Sequence, residues 1–214
     1  MPLGLKKTKR DIHVFYRPED GHDLPHNPFN ALIVPRPIGW ISTRDSEGRD
    51  NLAPYSFFNG VSYEPPQLMF ATTSGKADRG DMKDSASIIE ETGVFCVNTV
   101  SFALTDAMNI SSEGFAAGVD EFEKASLDKA ECETINCPRI ANTPAALECK
   151  LTDILRVKGE NNTVVFGEVT GIYIDDCCLT DGKLDVTKYR PLSRLGYRDY
   201  AVIEQGFTLG RPDD

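Results

Sequence analysis

Histidine is almost missing from this chain. The three present, His13, His22 and His26, all fall within the first 26 residues, ahead of the apolar patterning that marks a folded body. A hydrolase triad or a histidine-ligated zinc site would have to borrow one of them. No metal site and no catalytic side chain is therefore expected in the main body, and the chemistry is expected to reside in a bound cofactor. Long apolar runs are absent too. Nothing approaches the roughly 20 residues of a membrane-crossing helix, and the opening MPLGLKKTKRD lacks the apolar core of a signal peptide. The expected setting is the cytoplasm, with no membrane contact. Positive charge is short, 23 Lys and Arg against 33 Asp and Glu for a formal net charge of -10. That argues against nucleic acid, whose phosphates demand clustered cations. The one basic cluster, Lys6, Lys7, Lys9 and Arg10, reads as a solvated tail.

The six cysteines, at 96, 132, 137, 149, 177 and 178, form no CxxC pair, so neither a disulfide framework nor a zinc knuckle is expected. Cys96 and Cys149 lie in apolar, strand-like runs and read as small buried residues. The vicinal Cys177 and Cys178 follow two aspartates in a polar turn and read as a tolerated loop pair, with a redox role as the lesser alternative. A GxGxxG run is also absent, which excludes a separate dinucleotide-binding domain.

What is present fits one domain in 214 residues. Residues 1–27 read as an N-terminal extension, 28–205 as the domain and 206–214 as a C-terminal tail. A hydrophobic run over 31–43 is interrupted by Pro35 and Pro37, so its strand is bent or bulged, or begins after Pro37. The turn at Asp45 to Gly48 leads to a return strand over about 50–62, and Pro65-Pro66 to a short strand over 67–73. These three are expected to form an antiparallel meander. Asp84 or Ser85 caps a helix that Gly93 ends, followed by a strand over 94–100 and a helix over 102–110. Residues 111–130 are glycine-broken and acidic. Two long strands, from about 146 and 163, make a hairpin across 159–162, and 200–205 adds a last short strand. The expected class is mainly β (α+β), an antiparallel barrel of six or seven strands with two or three flanking helices. A barrel this small fills its interior with side chains, which leaves a ligand on the outer wall or at an end.

Two stretches carry the chemistry. Lys83, Asp84 and Ser85 put a cation, backbone amides and a hydroxyl at a helix start, a combination suited to a phosphate, although the same residues also suit a plain surface lysine beside a helix cap. The strand end NLAPYSFFN, residues 51–59, holds hydroxyls around Pro54, whose missing N–H disturbs ladder pairing and frees backbone groups for a ligand. Together they suit a phosphate carried on a flat ring. Phe57 or Phe58 reads as a core aromatic.

These runs, in this order with RPIGWIST at 36–43 and YRPLSRLGYRDY at 189–200, resemble the flavin reductase-like family, flavoredoxin-like branch, whose members hold FMN in a split β-barrel. The resemblance implies an FMN-binding site made of Ala53, Pro54, Tyr55 and Ser56, with Asn59 near the ring edge, Lys83, Asp84 and Ser85 at the phosphate, and Arg36, Thr72 and Arg194 as further contacts. Tyr200 belongs to the same run as Arg194. Tyr197 stands where the family usually has the second glycine of Arg-Leu-Gly-Gly. The implied activity is an NAD(P)H-dependent flavin reductase or related oxidoreductase, passing electrons through FMN to a small-molecule or protein acceptor, in a homodimer with the flavin near the interface. The alternatives are an FMN electron carrier that uses no nicotinamide directly, and a non-catalytic barrel binding module.

Overall fold

The turn at Asp45 starts the fold. Its carboxylate accepts hydrogen bonds from the N–H groups of Glu47 and Arg49 at 3.0 and 2.8 Å, reversing the chain between β1 (Gly39–Arg44) and β2 (Asp50–Tyr55). In a computed structural model, which describes residues 13–73, 84–116 and 118–210, these strands belong to a seven-stranded antiparallel sheet. The other members are β3 (Phe58–Tyr63), β4 (Pro66–Thr72), β5 (Val94–Thr99), β6 (Ala145–Arg156) and β7 (Thr163–Ile174). The order is β2-β1-β5-β6-β7-β4-β3. The long hairpin, the strand after the helix and the mainly β class stand as the sequence suggests.

The meander does not. The expected strand over 50–62 is two strands, broken at Ser56 and Phe57, and its halves lie at opposite edges of the sheet. Side-chain parity explains the break. Tyr55 and Phe58 would face opposite sides of a straight strand, yet both pack against the cluster of Ile41, Phe70, Phe95 and Val165 that fills the barrel. The corner allows this and draws the two sheet edges together: the Phe57 carbonyl accepts from the Ala71 N–H at 2.7 Å, and the Tyr55 and Phe70 rings lie 4.9 Å apart. The result is a split barrel with its seam at residues 55–58. Phe58 is the core aromatic; Phe57 faces outward.

Helix α1 (Asp84–Thr92) buries Ala86 and Ile89 in the same core, and Gly93 ends it at φ +73° with its N–H on the Ile89 carbonyl at 2.9 Å. Helix α2 (Thr105–Ile110) contributes Met108 to a second cluster around Trp40, Leu52, Phe122 and Leu192, where the Trp40 indole donates to Ser111 Oγ at 2.8 Å. Cys96 and Cys149 are fully buried. Gly167 sits at a register shift in β7, where a Cβ would stand 2.5 Å from the Phe95 ring. A smaller sheet joins Arg36–Pro37, Leu192–Arg194 and Tyr200–Val202 outside the barrel. Gly196, in the loop between the last two, lies so close to residue 31 that a Cβ would stand 2.4 Å from that of Ala31.

A polar chain ties α1 to β2. Ser85 Oγ donates to Asn51 Oδ1 at 2.8 Å, while Asn51 Nδ2 and the Leu52 N–H donate to Glu121 Oε2 at 3.0 and 3.1 Å. Burial pushes the Glu121 carboxyl above the ordinary range, against the pull of those donors. A carboxyl raised on folding contributes stability that is full below its unfolded value, roughly 4.3, and lost as pH rises through the folded one. Glu121→Gln keeps an oxygen for Leu52 without the titration. The unfolding free energy of the native chain, measured relative to Glu121→Gln in urea, should therefore fall as pH rises from about 4. Parallel profiles would contradict this.

Candidate functional site

The seam at residues 55–58 and the small outer sheet meet at Pro54. The β1–β2 ladder runs unbroken from Arg44↔Asp50 to Gly39↔Tyr55, so Pro54 does not disturb it as the sequence suggested. Leu52, two residues earlier, sends its N–H outward to Glu121. Pro54 shares that outward orientation by strand alternation, and a proline is tolerated there because no sheet partner asks for its N–H. β2 is thus an edge strand held apart from a further strand.

Three adjoining cavities, of about 290, 270 and 100 Å³, meet at Pro54. The first is lined by Arg36, Ser56, Phe57, Thr73, Arg194 and Tyr197. The second shares Ser56 and Arg194 and adds an apolar wall of Ile38, Met108 and Tyr200. The third runs from Ala53 and Tyr55 to Asp84, Ser85, Ser112 and Glu121. Burial pushes the Tyr55 phenol up to about 12, although it meets the Ser85 hydroxyl; it stays a neutral donor at ordinary pH.

Arg36 governs the first cavity. The residue is only 6% exposed, and its guanidinium donates to the backbone carbonyls of Asn30, Ile33 (2.5 Å) and Leu195 (2.6 Å), with Nε 3.4 Å from Ser56 Oγ. It also lies 5.7 Å from the centre of the Phe57 ring. Directly opposite it in the small sheet is Arg194, which donates to the Tyr197 carbonyl and stacks 4.4 Å above Tyr200. Like charges facing each other across strands destabilise a sheet. Burial, and then the Arg194 charge, lower the Arg36 pKa. Among the described residues neither arginine forms an ion pair with a carboxylate. Two guanidiniums without a counter-charge among the described residues, beside a hydroxyl and an open cavity, are the kind of donor set that suits an anion.

Of the residues singled out in the sequence, Arg36, Ala53, Pro54, Tyr55, Ser56, Asp84, Ser85 and Arg194 come together along this groove. Ser85 is fully buried and its hydroxyl is committed to Asn51. Thr72 is buried opposite Thr163 in the sheet, while its neighbour Thr73 lines the cavity. Asn59 lies on exposed β3, its side-chain oxygen turned back to the Gly60 N–H at 2.9 Å, and lines none of the three cavities. Lys83 falls outside the described residues. Sequence reasoning missed Glu121, Ser112 and Met108, because each comes from a segment whose pattern showed only a helix or an acidic loop. Tyr197 held a readable signal: it occupies the left-handed region at φ +55°, the conformation for which glycine is the usual choice. Its ring meets that of His26 at 5.6 Å, so the N-terminal segment reaches the groove rim.

Comparison with known proteins agrees with this architecture. The sequence profile described as the flavin reductase like domain matches residues 31–192. An uncharacterised protein of Aquifex aeolicus is 39% identical over 171 residues, covering 79% of this chain and 85% of the relative. Among solved structures, nitrilotriacetate monooxygenase component B from Bacillus cereus superposes with a TM-score of 0.84 at 25% identity, covering 92% of this chain and 98% of that one. The 2-nitrobenzoate 2-nitroreductase of Pseudomonas fluorescens gives 0.75 at 29%, covering 86% and 88%. A flavoredoxin of Desulfovibrio vulgaris shares the fold, with 0.71 at 21% and 97% of each chain covered. The split barrel, its outer groove and the profile match lead to one conclusion: the chain belongs to the flavin reductase-like family.

Proposed function

We propose that the groove around Pro54 binds FMN and that the protein is an FMN-dependent oxidoreductase reduced by NAD(P)H. The observation that carries this reading is the facing pair Arg36 and Arg194, without a carboxylate partner among the described residues, at the mouth of a cavity in a chain of net charge -10. A dianionic phosphate relieves that like-charge pair, and a neutral ligand does not. Ser56 adds a hydroxyl, and the wall of Ile38, Met108 and Tyr200 suits a flat apolar ring. At the edge of β2 the outward-facing Pro54 offers its carbonyl alongside. Lys83 precedes α1 in the sequence and supplies a third cation to the same ligand in this reading. When bound, FMN supplies a ring that takes hydride from NAD(P)H and hands electrons to a small-molecule or protein acceptor. The chain's own part is to hold, orient and shield it.

The nitroreductase and monooxygenase-component likenesses favour an enzyme over an electron carrier. Stopped-flow mixing of the FMN-loaded protein with NADH or NADPH separates the two, since bleaching of the flavin band is expected of the enzyme and a carrier stays oxidised with both. A preparation that takes up no FMN would leave a barrel binding module. The proposed assembly is a homodimer with the groove near the interface, supported by the open groove and by the exposed edge strand β3, where Tyr63 is 97% exposed. Light scattering of the FMN-loaded form should give twice the chain mass; a monomer would contradict it.

The phosphate contact has its own test. A charge-assisted hydrogen bond contributes about 1.5–3 kcal/mol, so Arg194→Ala and Lys83→Ala should each weaken FMN binding about ten- to a hundredfold. Riboflavin, which lacks the phosphate, should lose little. Equal losses for both ligands would show that the cations act through folding, and no loss in either variant would place the phosphate elsewhere.

A further inference from the structure

Away from the flavin groove, three thiols meet on the outer side of the barrel. A short hairpin pairs residues Lys129–Glu131 with Pro138–Ile140, with Glu131 opposite Pro138. One step further out, Cys132 faces Cys137, and the Cys132 N–H donates to the Cys137 carbonyl at 3.1 Å. The two residues are thereby opposed across the end of the hairpin, and their sulfur atoms lie within hydrogen-bonding reach of each other. Cys137 packs with Cys96, Ile135 and Ala146, and Cys132 lies against that cluster. Cys137 is fully buried, its thiol donating to the Ser42 carbonyl at 3.2 Å, while Cys132 is half-buried. A surface cavity of about 220 Å³ begins at the next residue, Glu133, and is also lined by Thr134, Arg139 and Tyr173.

The two thiols differ in their surroundings. Hydrogen bonds from the sulfur atoms of Cys137 and Cys96 hold the Cys132 thiol below the ordinary thiol range, with help from the Arg139 charge. Burial opposes this, as does the Glu148 carboxylate, which the Glu133 and Thr134 amides keep ionised. Burial pushes Cys137 up and keeps it a thiol. A half-buried thiol held toward the thiolate, within sulfur hydrogen-bonding reach of a buried protonated thiol, is the arrangement of an attacking and a resolving cysteine.

We propose that Cys132 and Cys137 form a peroxide-oxidisable dithiol that closes to a disulfide across the hairpin. In the first step the Cys132 thiolate attacks one oxygen of a hydroperoxide. The O–O bond breaks, the other oxygen leaves as an alcohol (or as water from hydrogen peroxide) after taking a proton, and Cys132 becomes a sulfenic acid. In the second step the Cys137 sulfur attacks the Cys132 sulfur and displaces hydroxide, which leaves as water with the Cys137 proton. Two thiols have lost two electrons and the peroxide has gained them. A dithiol reductant reverses the change.

Mass spectrometry reads this directly, because trypsin cutting after Lys129 and Arg139 releases both cysteines in one segment, residues 130–139. After treatment of the reduced native protein with hydrogen peroxide and then an alkylating agent, two of the six thiols should be protected. Segment 130–139 should be two hydrogen atoms lighter and unalkylated, and dithiothreitol should restore both sites. In Cys137→Ser the reaction should stop at a sulfenic acid on Cys132, trapped by dimedone. The proposal is overturned if segment 130–139 stays fully alkylated after peroxide, if the lost thiols are Cys177 and Cys178, or if Cys132 is found joined to Cys96. The native-protein measurement stands even if a variant fails to fold.

Discussion

A charged guanidinium taken out of water is costly unless its donors are met. Arg36 meets this demand with carbonyls from three places: Asn30, Ile33 and Leu195. That requirement draws the segment before β1 and the loop after Arg194 onto the barrel seam, and Gly196 permits the contact because any side chain there would strike Ala31. Carbonyl dipoles satisfy the donors without cancelling the charge. The field of Arg36, reinforced by Arg194 opposite, is left for whatever enters the cavity. In the proposed reading an acidic chain thereby gains a local anion receptor, as one pocket needs only a few well-placed donors.

The groove is graded in charge. Arginines stand at one end, Pro54 and an apolar wall at the middle, and Asp84 and the protonation-prone Glu121 at the other. The polar chain from Glu121 through Asn51 to Ser85 keeps β2 and α1 in register, so the hydroxyl expected to face a phosphate acts as structure.

Much of this was legible in the residues. Alternation gave the long hairpin of β6 and β7, and Gly93 marked the end of α1 as expected. The order of the runs around Arg36, Pro54 and Arg194 pointed to the correct family and to most of the groove. The corner at Ser56 and Phe57 was not legible, because residues 50–62 alternate plausibly as one strand and only the barrel core reveals that Tyr55 and Phe58 must face the same way. Asn59 was displaced from the site by that corner. The pairing of Arg36 with Arg194 is separated by most of the chain and left no local signal. The apposition of Cys132 and Cys137 left no signal for a similar reason: a spacing of five residues matches no motif until a hairpin brings them face to face.

The central claim is that the groove recognises a flavin through its phosphate. Titrating the native protein with FMN and with riboflavin, at low and at high salt, tests it most directly. The account predicts that FMN binds at least about tenfold more tightly at low salt, and that the gap narrows as salt screens the arginine pair. Equal affinity for the two ligands at low salt would contradict it.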